Sequence, residues 1–451
     1  MHPTQLTHIE TVIGQMLRFD RPADVVLSGY FYHNKQIGSQ DRHLIAETAF
    51  TCLRRLSQLR ALIEPDRITA RKLALATLAR VRGLNLKEFG GSIKANEVEW
   101  LSVLKGRTLP DDLAIQAELP QWIIDSLEGR STESILALGR ALMQPAPLDL
   151  RVNTLKMKRD EALSRLDEAG IKAEATPYSP FGIRIQGKPA LNKLELFKSG
   201  AIEVQDEGSQ LLGLLVGARR GEMVVDFCAG AGGKTLLLGA QMASSGRLYA
   251  FDISEKRLAN LKPRLARSGL SNVQPQLISS ENDTRVKRLA GKIDRVLVDA
   301  PCSGLGTLRR NPDLKYRQSL ESVDALHLQQ LAILQSASRL VRNGGRLVYA
   351  TCSLLPQENQ HVLHGKPLLL QALAQAFHAR TAGQNNRRHN APRPTSENPA
   401  TQRFPESNVR IRRILFRDWC HPCANDTGRD NRLPGRNSGK WTWHVPHAGS
   451  H

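Results

Sequence analysis

No run of about 18 apolar residues occurs in the 451-residue chain, so the sequence offers no helix able to span a bilayer. The opening segment "MHPTQLTHIETVIGQML" lacks the basic-then-apolar layout of a secretory leader. Cysteine is scarce. Six in so long a chain do not make a disulfide scaffold, and a reduced, cytoplasmic protein is the expectation. Acidic residues are also in short supply, 43 against 63 Lys and Arg, which leaves a formal charge of +20. Such an excess attracts polyanions, and without a membrane segment nucleic acid is the favoured partner. What is present, 41% hydrophobic residues, suffices for globular folding, and the length implies about two to four domains.

Residues 1–140 read as helical. "QDRHLIAETAFTCLRRLSQLRALI" places Leu44, Ala49, Leu53, Leu56, Leu59 and Ile63 near a 3.6-residue period. "RITARKLALATLARVRG" repeats the pattern and leaves Arg67, Arg71, Lys72, Arg80 and Arg82 for a polar face, either plainly solvated or turned toward RNA. Pro145 and Pro147 break the helical texture, and the short runs "FGIRIQG" and "AIEVQDEG" mark 145–205 as a small α/β module. Over 206–365 strands and helices alternate. "EMVVDFCAGAGGKTLLLGAQM" reads strand, glycine turn, helix; "RLYAFD", "DRVLVDAPCSG" and "RLVYATCS" are further strands. The helical runs "EKRLANLKPRLARSG" and "ALHLQQLAILQSASRLVRNGG" fall between them, the second with a glycine stop. This is the pattern of an α/β, doubly wound, Rossmann-like sheet whose chemistry lies at the carboxyl ends of its strands.

The loop "DFCAGAGGKT" fails as a triphosphate-binding P-loop, because Cys228 stands where the first glycine is needed. It fails as a dinucleotide fingerprint because Thr235 occupies the last glycine position. An acidic strand end followed by Gly-x-Gly fits an S-adenosylmethionine loop, where residues without a Cβ let the cofactor approach the backbone. Asp252, closing the next strand, is placed to hold ribose hydroxyls, and Asp283 to reach the adenine side.

Cys302 and Cys352 each follow a strand of this sheet and should share the crevice. No ligand set for zinc accompanies them, and no metal is expected. Thiols beside a methyl donor suit methylation of a pyrimidine at C5. A thiolate adds to C6 and makes C5 nucleophilic, C5 takes the methyl group and loses its proton, and the thiol is eliminated. One cysteine attacks and a second can help release the product. Asp299 can bond the polar edge of the base, with Lys234 in support.

"DFCAGAGGKT", "VLVDAPCSGLGTLRRNPD" and "LVYATCSLLPQEN" resemble the signature motifs of the Sun/Fmu-type RNA cytosine-C5 methyltransferases, over roughly 145–360. The resemblance implies Cys352 as nucleophile and Cys302 as the helper in release, with catalytic support from Asp299 and Lys234. It implies cofactor contacts from Cys228, Ala229, Gly230, Ala231, Gly232, Gly233, Lys234, Asp252, Asp283 and Asp299. "QDRHLIAETAFTCLRRLSQL" is similar to the NusB-like RNA-binding domain of the bacterial ribosomal branch, and "LRVNTLK" and "EVQDEGSQL" to its linker module. Small-subunit ribosomal RNA, rather than DNA, is then the implied partner, its target base unpaired or flipped out. A tRNA methyltransferase and a catalytically dead RNA-binding protein are the alternatives.

The pattern fails after Asn359. The family's closing Gly-Phe-Phe hairpin is missing, and residues 377–451 carry 13 Lys and Arg against 5 Asp and Glu without apolar periodicity. The segment 366–451 therefore reads as an atypical basic tail, disordered or frame-shifted, that leaves a sheet edge exposed. "CHPC" at Cys420–Cys423 is at most half of a zinc site.

Overall fold

In the computed structural model, residues 1–364 and the backbone of the strand Arg410–Arg413 are described. The amino-terminal region is helical. Pro3–Met16, Ser39–Arg54, Leu56–Ile63 and Ala70–Ala76 close around a core that includes Leu6, Ile9, Ile13, Ile45, Leu53, Leu59 and Ile63. The spacing of those residues puts them on one face of each helix.

The run through Leu44 and Ile63 is two helices, not one. Ser39–Arg54 stops at Arg55, whose φ of −122° leaves the helical region, and Leu56–Ile63 begins beyond it. The carboxylate of Glu118, from a distant turn, accepts the N–H groups of Ser57 (2.7 Å) and Gln58 (2.9 Å). First-turn donors have no partner inside their own helix, and an anion is favoured at that end.

Most of the basic residues expected on an open face are braces. Arg71 bonds Glu97 (2.9 Å), Lys72 pairs with Asp66 (3.3 Å), Arg80 donates to the Arg107 carbonyl (3.0 Å) and Arg82 to Thr48 (2.9 Å). Sequence periodicity gives the helix face but not the neighbouring chain that supplies acceptors. Arg67 is exposed.

Among the described residues ten strands follow: β1 (Leu148–Val152), β2 (Ala173–Ala175), β3 (Gly182–Ile185), β4 (Ile202–Val204), β5 (Met223–Asp226), β6 (Arg247–Asp252), β7 (Val273–Leu277), β8 (Ile293–Asp299), β9 (Val341–Ala350) and β10 (Arg410–Arg413). The first four form an antiparallel sheet in the order β2-β3-β1-β4. The helix Arg159–Glu168 packs on it through Ala162 and Leu166.

The other six form a parallel sheet in the order β10-β9-β8-β5-β6-β7. Both faces are covered, as a parallel sheet requires. Val225, Val296 and Val298 pack with Ile333 and Leu334 of the helix Leu320–Ser338. On the other face Val224 and Leu297 pack with Leu236 and Leu258 of the helices Gly233–Gln241 and Glu255–Ser268. Strand order reverses between β5 and β8, and the crevice of a doubly wound sheet opens at such a reversal.

The glycines of "LVRNGG" do not stop a helix. Leu320–Ser338 ends before them, and Val341 already pairs with Ile293 in β9. Gly344 and Gly345 take up an irregularity before Arg346 pairs with Arg295. The β9 edge expected to be exposed is instead paired, because Arg410–Arg413 runs parallel to Arg346–Tyr349. The frame change expected after Asn359 and the "CHPC" pair fall in the tail, outside the described residues apart from that strand's backbone.

The segment that leaves Cys302 is fastened to the amino-terminal helices. Leu305, Leu308 and Val323 pack with Ile123, Leu127 and Leu138. Asp313 accepts the Ala23 N–H (3.2 Å), and Arg54 donates to the Arg309 carbonyl (3.2 Å). Lys315, only 3% exposed, donates to Glu118 Oε1 (3.1 Å) and to the carbonyls of Glu118 (3.0 Å) and Arg54 (3.2 Å).

Candidate active site

Four carboxyl ends of the parallel sheet converge at the reversal. Asp226 closes β5, Asp252 β6 and Asp299 β8, and Cys352 stands two residues beyond β9. Asp299 lies in register with Ala350, which brings the turns after β8 and β9 side by side. Cys302 and Cys352 therefore meet, their Sγ atoms 3.2 Å apart. The hydrogen bond with Cys302 holds the Cys352 thiol below its ordinary value. Burial and Asp299 oppose this shift, and Lys234 assists it. The same sharing of one proton, together with burial, pushes the Cys302 thiol well up. The Cys352 thiol is thus the more easily ionised of the two. Both thiols keep some exposure.

Close approach of the two turns has a backbone condition. The Gly306 N–H donates to the Cys352 carbonyl (2.8 Å), and a Cβ on residue 306 would stand 2.6 Å from that oxygen. Only glycine fits there.

Lys234, in the first turn of the helix Gly233–Gln241, donates to Asp299 Oδ2 at 2.6 Å. Burial alone would depress its ammonium, but Asp299 beside it raises the net value, so the lysine stays charged. The pair is largely buried on the lysine side, 15% exposed against 32% for Asp299. Asp299 thus faces outward with a fixed cation behind it.

The loop from Cys228 to Gly233 turns from β5 into that helix. Gly230 has φ +56° with open space where a Cβ would project, so a ligand can reach its backbone. The Gly230 N–H is held by Asp252 Oδ2 (2.8 Å), and Asp252 Oδ1 accepts the Ser254 N–H (2.7 Å). The Ala231 carbonyl accepts from Arg264 (2.7 Å), and Arg264 is itself clasped to Glu203 of β4 (2.9 Å). Cys228 is packed in the core beneath the loop, and burial pushes its thiol up. It contributes backbone to the loop rather than a reactive sulfur.

Asp226, which sequence reasoning left out of the site, is fully buried under the loop. Its Oδ2 accepts the Thr235 hydroxyl (2.7 Å), while Oδ1 has no hydrogen-bond partner among the described residues. Burial raises its carboxyl to about 6. An approachable glycine backbone, a carboxylate at the end of β6 and an orphaned acceptor below fit a group with donors at one end and a ribose at the other. That is the shape of S-adenosylmethionine.

Asp283 follows β7 and is bonded locally. Its oxygens accept the N–H and hydroxyl of Ser279 (2.9 and 3.0 Å) and the Arg285 N–H (2.8 Å). Those bonds hold its carboxyl down at about 2. The structure gives it the role of cap to the helix Thr284–Lys287.

Two further residues bear on the thiols. Glu358, fully buried, accepts the Ser303 N–H (2.8 Å), the Ser303 hydroxyl and the Gln330 amide (3.0 Å). Asn359 bonds the Thr351 hydroxyl (2.8 Å) and the carbonyls of Ser353 (3.1 Å) and Leu355 (2.9 Å). The signal for them in the sequence is "PQEN", whose three polar residues follow the apolar "LLP". Among the described residues there is no cluster of metal-ligating side chains and no helix long and apolar enough to cross a membrane.

Comparison with known proteins gives this geometry relatives. Residues 214–400 match the family model described as 16S rRNA methyltransferase RsmB/F, and residues 119–192 match the ferredoxin-like domain of the RsmF/B-like methyltransferases. The chain is 37% identical over 255 residues to the probable ribosomal RNA small subunit methyltransferase B of Synechocystis sp., covering 55% of this chain and 56% of that protein. It is 36% identical over 277 residues to ribosomal RNA small subunit methyltransferase B of Pseudomonas syringae pv. tomato, covering 61% and 58%. It thus spans a little over half the length of the curated relatives it matches.

Among solved structures, a methyltransferase homolog protein from Pyrococcus horikoshii superposes with a TM-score of 0.51 at 29% identity, over 56% of this chain and 80% of that one. PH0851 shares the fold more widely, with a TM-score of 0.67 at 23% identity over 81% and 89%. The Sun/Fmu-type motifs and these matches agree. Across residues 119–192 and 214–400, this chain belongs to the RsmB/F methyltransferase family.

Proposed function

We propose that the chain methylates C5 of a cytosine in small-subunit ribosomal RNA, using S-adenosylmethionine and a covalent adduct between Cys352 and C6. The observation that carries this reading is the pair of thiols 3.2 Å apart beside the Lys234–Asp299 pair. Relatives named as small-subunit ribosomal RNA methyltransferases support the substrate class. The formal charge of +20 supports a polyanionic partner.

When bound, S-adenosylmethionine supplies an electrophilic methyl group. Gly230 and its neighbours would hold the amino-acid end and Asp252 the ribose. Asp299 accepts a hydrogen bond from the exocyclic amine of the cytosine, and the charge of Lys234 steadies that carboxylate. Cys352 adds to C6 and drives the electron pair of the C5–C6 double bond onto C5, the carbon that takes the methyl group. Loss of the C5 proton lets the double bond re-form as the Cys352–C6 bond breaks, and Cys302 assists that elimination.

The test is incubation with radiolabelled S-adenosylmethionine and unmodified small-subunit ribosomal RNA, followed by digestion and separation of nucleosides. Label in 5-methylcytidine is the expected result. Absence of label, with an active family member as control on the same RNA, refutes it. Label from tRNA alone would move the substrate class.

A further inference from the structure

We propose that the adjacent residues Glu358 and Asn359 form a brace that sets the distance between the two thiols, each residue fastening one cysteine turn. The catalytic roles used in one of the two tests rest on the methyltransferase reading above; the geometry does not.

Glu358 governs the Cys302 side. It is fully buried with both oxygens committed, Oε1 to the Ser303 N–H and the Gln330 amide and Oε2 to the Ser303 hydroxyl. Gln330 also donates to the Pro301 carbonyl (2.9 Å), so the residues on either side of Cys302 are both tied to this carboxylate. Ser303 and Ser353 lie 3.1 Å apart, Oγ to Oγ. The Ser303 hydroxyl is within hydrogen-bond reach of both the carboxylate and Ser353 Oγ, and Ser353 Oγ accepts the Leu355 N–H (3.1 Å). A chain of hydrogen bonds thus runs from Glu358 through Ser303 into the turn that holds Cys352.

Asn359 governs the Cys352 side. Its Oδ1 accepts the Thr351 hydroxyl, its amide serves the Ser353 and Leu355 carbonyls, and Thr351 in turn accepts the Ser353 N–H (3.2 Å). The Glu358 carbonyl accepts the Tyr349 hydroxyl (2.9 Å), which pins the brace to β9. Every polar atom of the Glu358 and Asn359 side chains is used inside this assembly. Neither side chain bonds to Cys302 or Cys352, so both are positioning residues.

A brace of this kind makes two predictions that general loss of stability does not. The first needs no substrate. Diamide, an azo oxidant, takes the two thiol hydrogens and leaves a disulfide, for which the sulfurs need close only from 3.2 Å to about 2.05 Å. Glu358→Ala and Asn359→Ala should each slow formation of the Cys302–Cys352 linkage, read by mass spectrometry of the linked peptides, on the order of 10²-fold, the usual consequence of misplacing reacting atoms by about 1 Å. Glu358→Gln keeps the shape and one of the two acceptor oxygens, its NH2 being able to donate to Ser303 Oγ, and should restore a rate close to that of the unaltered chain.

The second prediction separates the two ends. With ribosomal RNA and S-adenosylmethionine, Glu358→Ala should accumulate a covalent protein–RNA adduct, because it disturbs the releasing thiol. Asn359→Ala should form little adduct, because it disturbs the attacking one.

Disulfide rates equal to those of the unaltered chain in both alanine variants would overturn the brace. So would a Glu358→Gln variant as slow as Glu358→Ala, which would make charge and not placement the determinant. If an alanine variant fails to fold, Ser303→Ala, which removes only the relay hydroxyl, takes its place in the disulfide test with the same expectation. A Cys302→Ser chain that traps no adduct, while the disulfide rates fall as described, would refute the methylation chemistry and leave the brace standing.

Discussion

The buried Lys315–Glu118 pair provides a test of how the catalytic segment is held, through the substitution Lys315→Met. Methionine fills most of the volume of the lysine stem, so the change removes the charge and three hydrogen bonds, one to Glu118 Oε1 and two to carbonyls. Glu118 is left as a carboxylate at 1% side-chain exposure. Removing one member of a buried pair costs about 3–5 kcal/mol, because the other charge stays behind. Here Glu118 keeps the N–H donors of Ser57 and Gln58 and the Tyr316 hydroxyl (3.2 Å). That places the loss near the lower figure, about 3 kcal/mol. At roughly 2.1 cal/mol/K of unfolding entropy per residue, this lowers Tm by about 4 °C for a body of this size. Urea and thermal unfolding of the full chain measure it. The double variant Glu118→Gln with Lys315→Met should recover part of the loss, since the stranded charge is gone. A single variant within about 1 kcal/mol of the original chain, or a double variant no more stable than the single, would refute the reasoning.

Other expectations follow from the site. Cys302→Ser should accumulate a covalent adduct with ribosomal RNA that resists denaturing electrophoresis, and Cys352→Ser should form none; the reverse pattern would exchange their roles. The Asp226 carboxyl is raised to about 6 by burial, so the folded state holds its proton more tightly than the unfolded chain does. Its contribution to stability is whole below the unfolded value and is lost as pH rises through about 6, on the order of 3 kcal/mol in all. Asp226→Asn removes that dependence, so its stability relative to the original chain should rise between pH 4 and 7, as denaturant titrations at each pH would show. Arg264→Ala frees the Ala231 carbonyl and should weaken binding of S-adenosylhomocysteine by roughly tenfold or more in calorimetry, the scale of one charge-assisted hydrogen bond; unchanged affinity would show that the clasp from β4 does not shape the loop.

Much of the parallel sheet was legible because its strands are continuous apolar runs ending in polar turns. Val224 and Val225, or Val296 and Leu297, face opposite sides and both are buried, so the run itself is the signal. The thiols and Asp299 were legible for a related reason, since a strand end followed by a short turn places its residues at the crevice. What stayed hidden depends on partners distant in sequence. Nothing near Arg55 announces a helix break there; the carboxylate that caps the second helix arrives from Glu118. The bonds from Ser279 and Arg285 to Asp283 could not be read from the sequence. Asp226 reads as the acidic strand end that precedes the glycine loop, but nothing in the sequence shows that it is fully buried with an orphaned Oδ1. The glycines at 344 and 345 read as a helix stop, whereas they ease an irregular strand pairing.

The Lys315–Glu118 contact also has a meaning in time. The two residues lie 197 positions apart, and synthesis at about 5–20 residues per second puts roughly 10–40 s between them. Throughout that interval the amino-terminal helices exist without the lysine that neutralises Glu118, and without Leu305 and Leu308 against Ile123 and Leu138. The helix cap at Ser57 and Gln58 must form around an unpaired carboxylate or wait in water. The closing of the catalytic segment is therefore also the last step in building the domain that was made first, and a nascent chain halted before residue 315 should expose that apolar seam to chaperones.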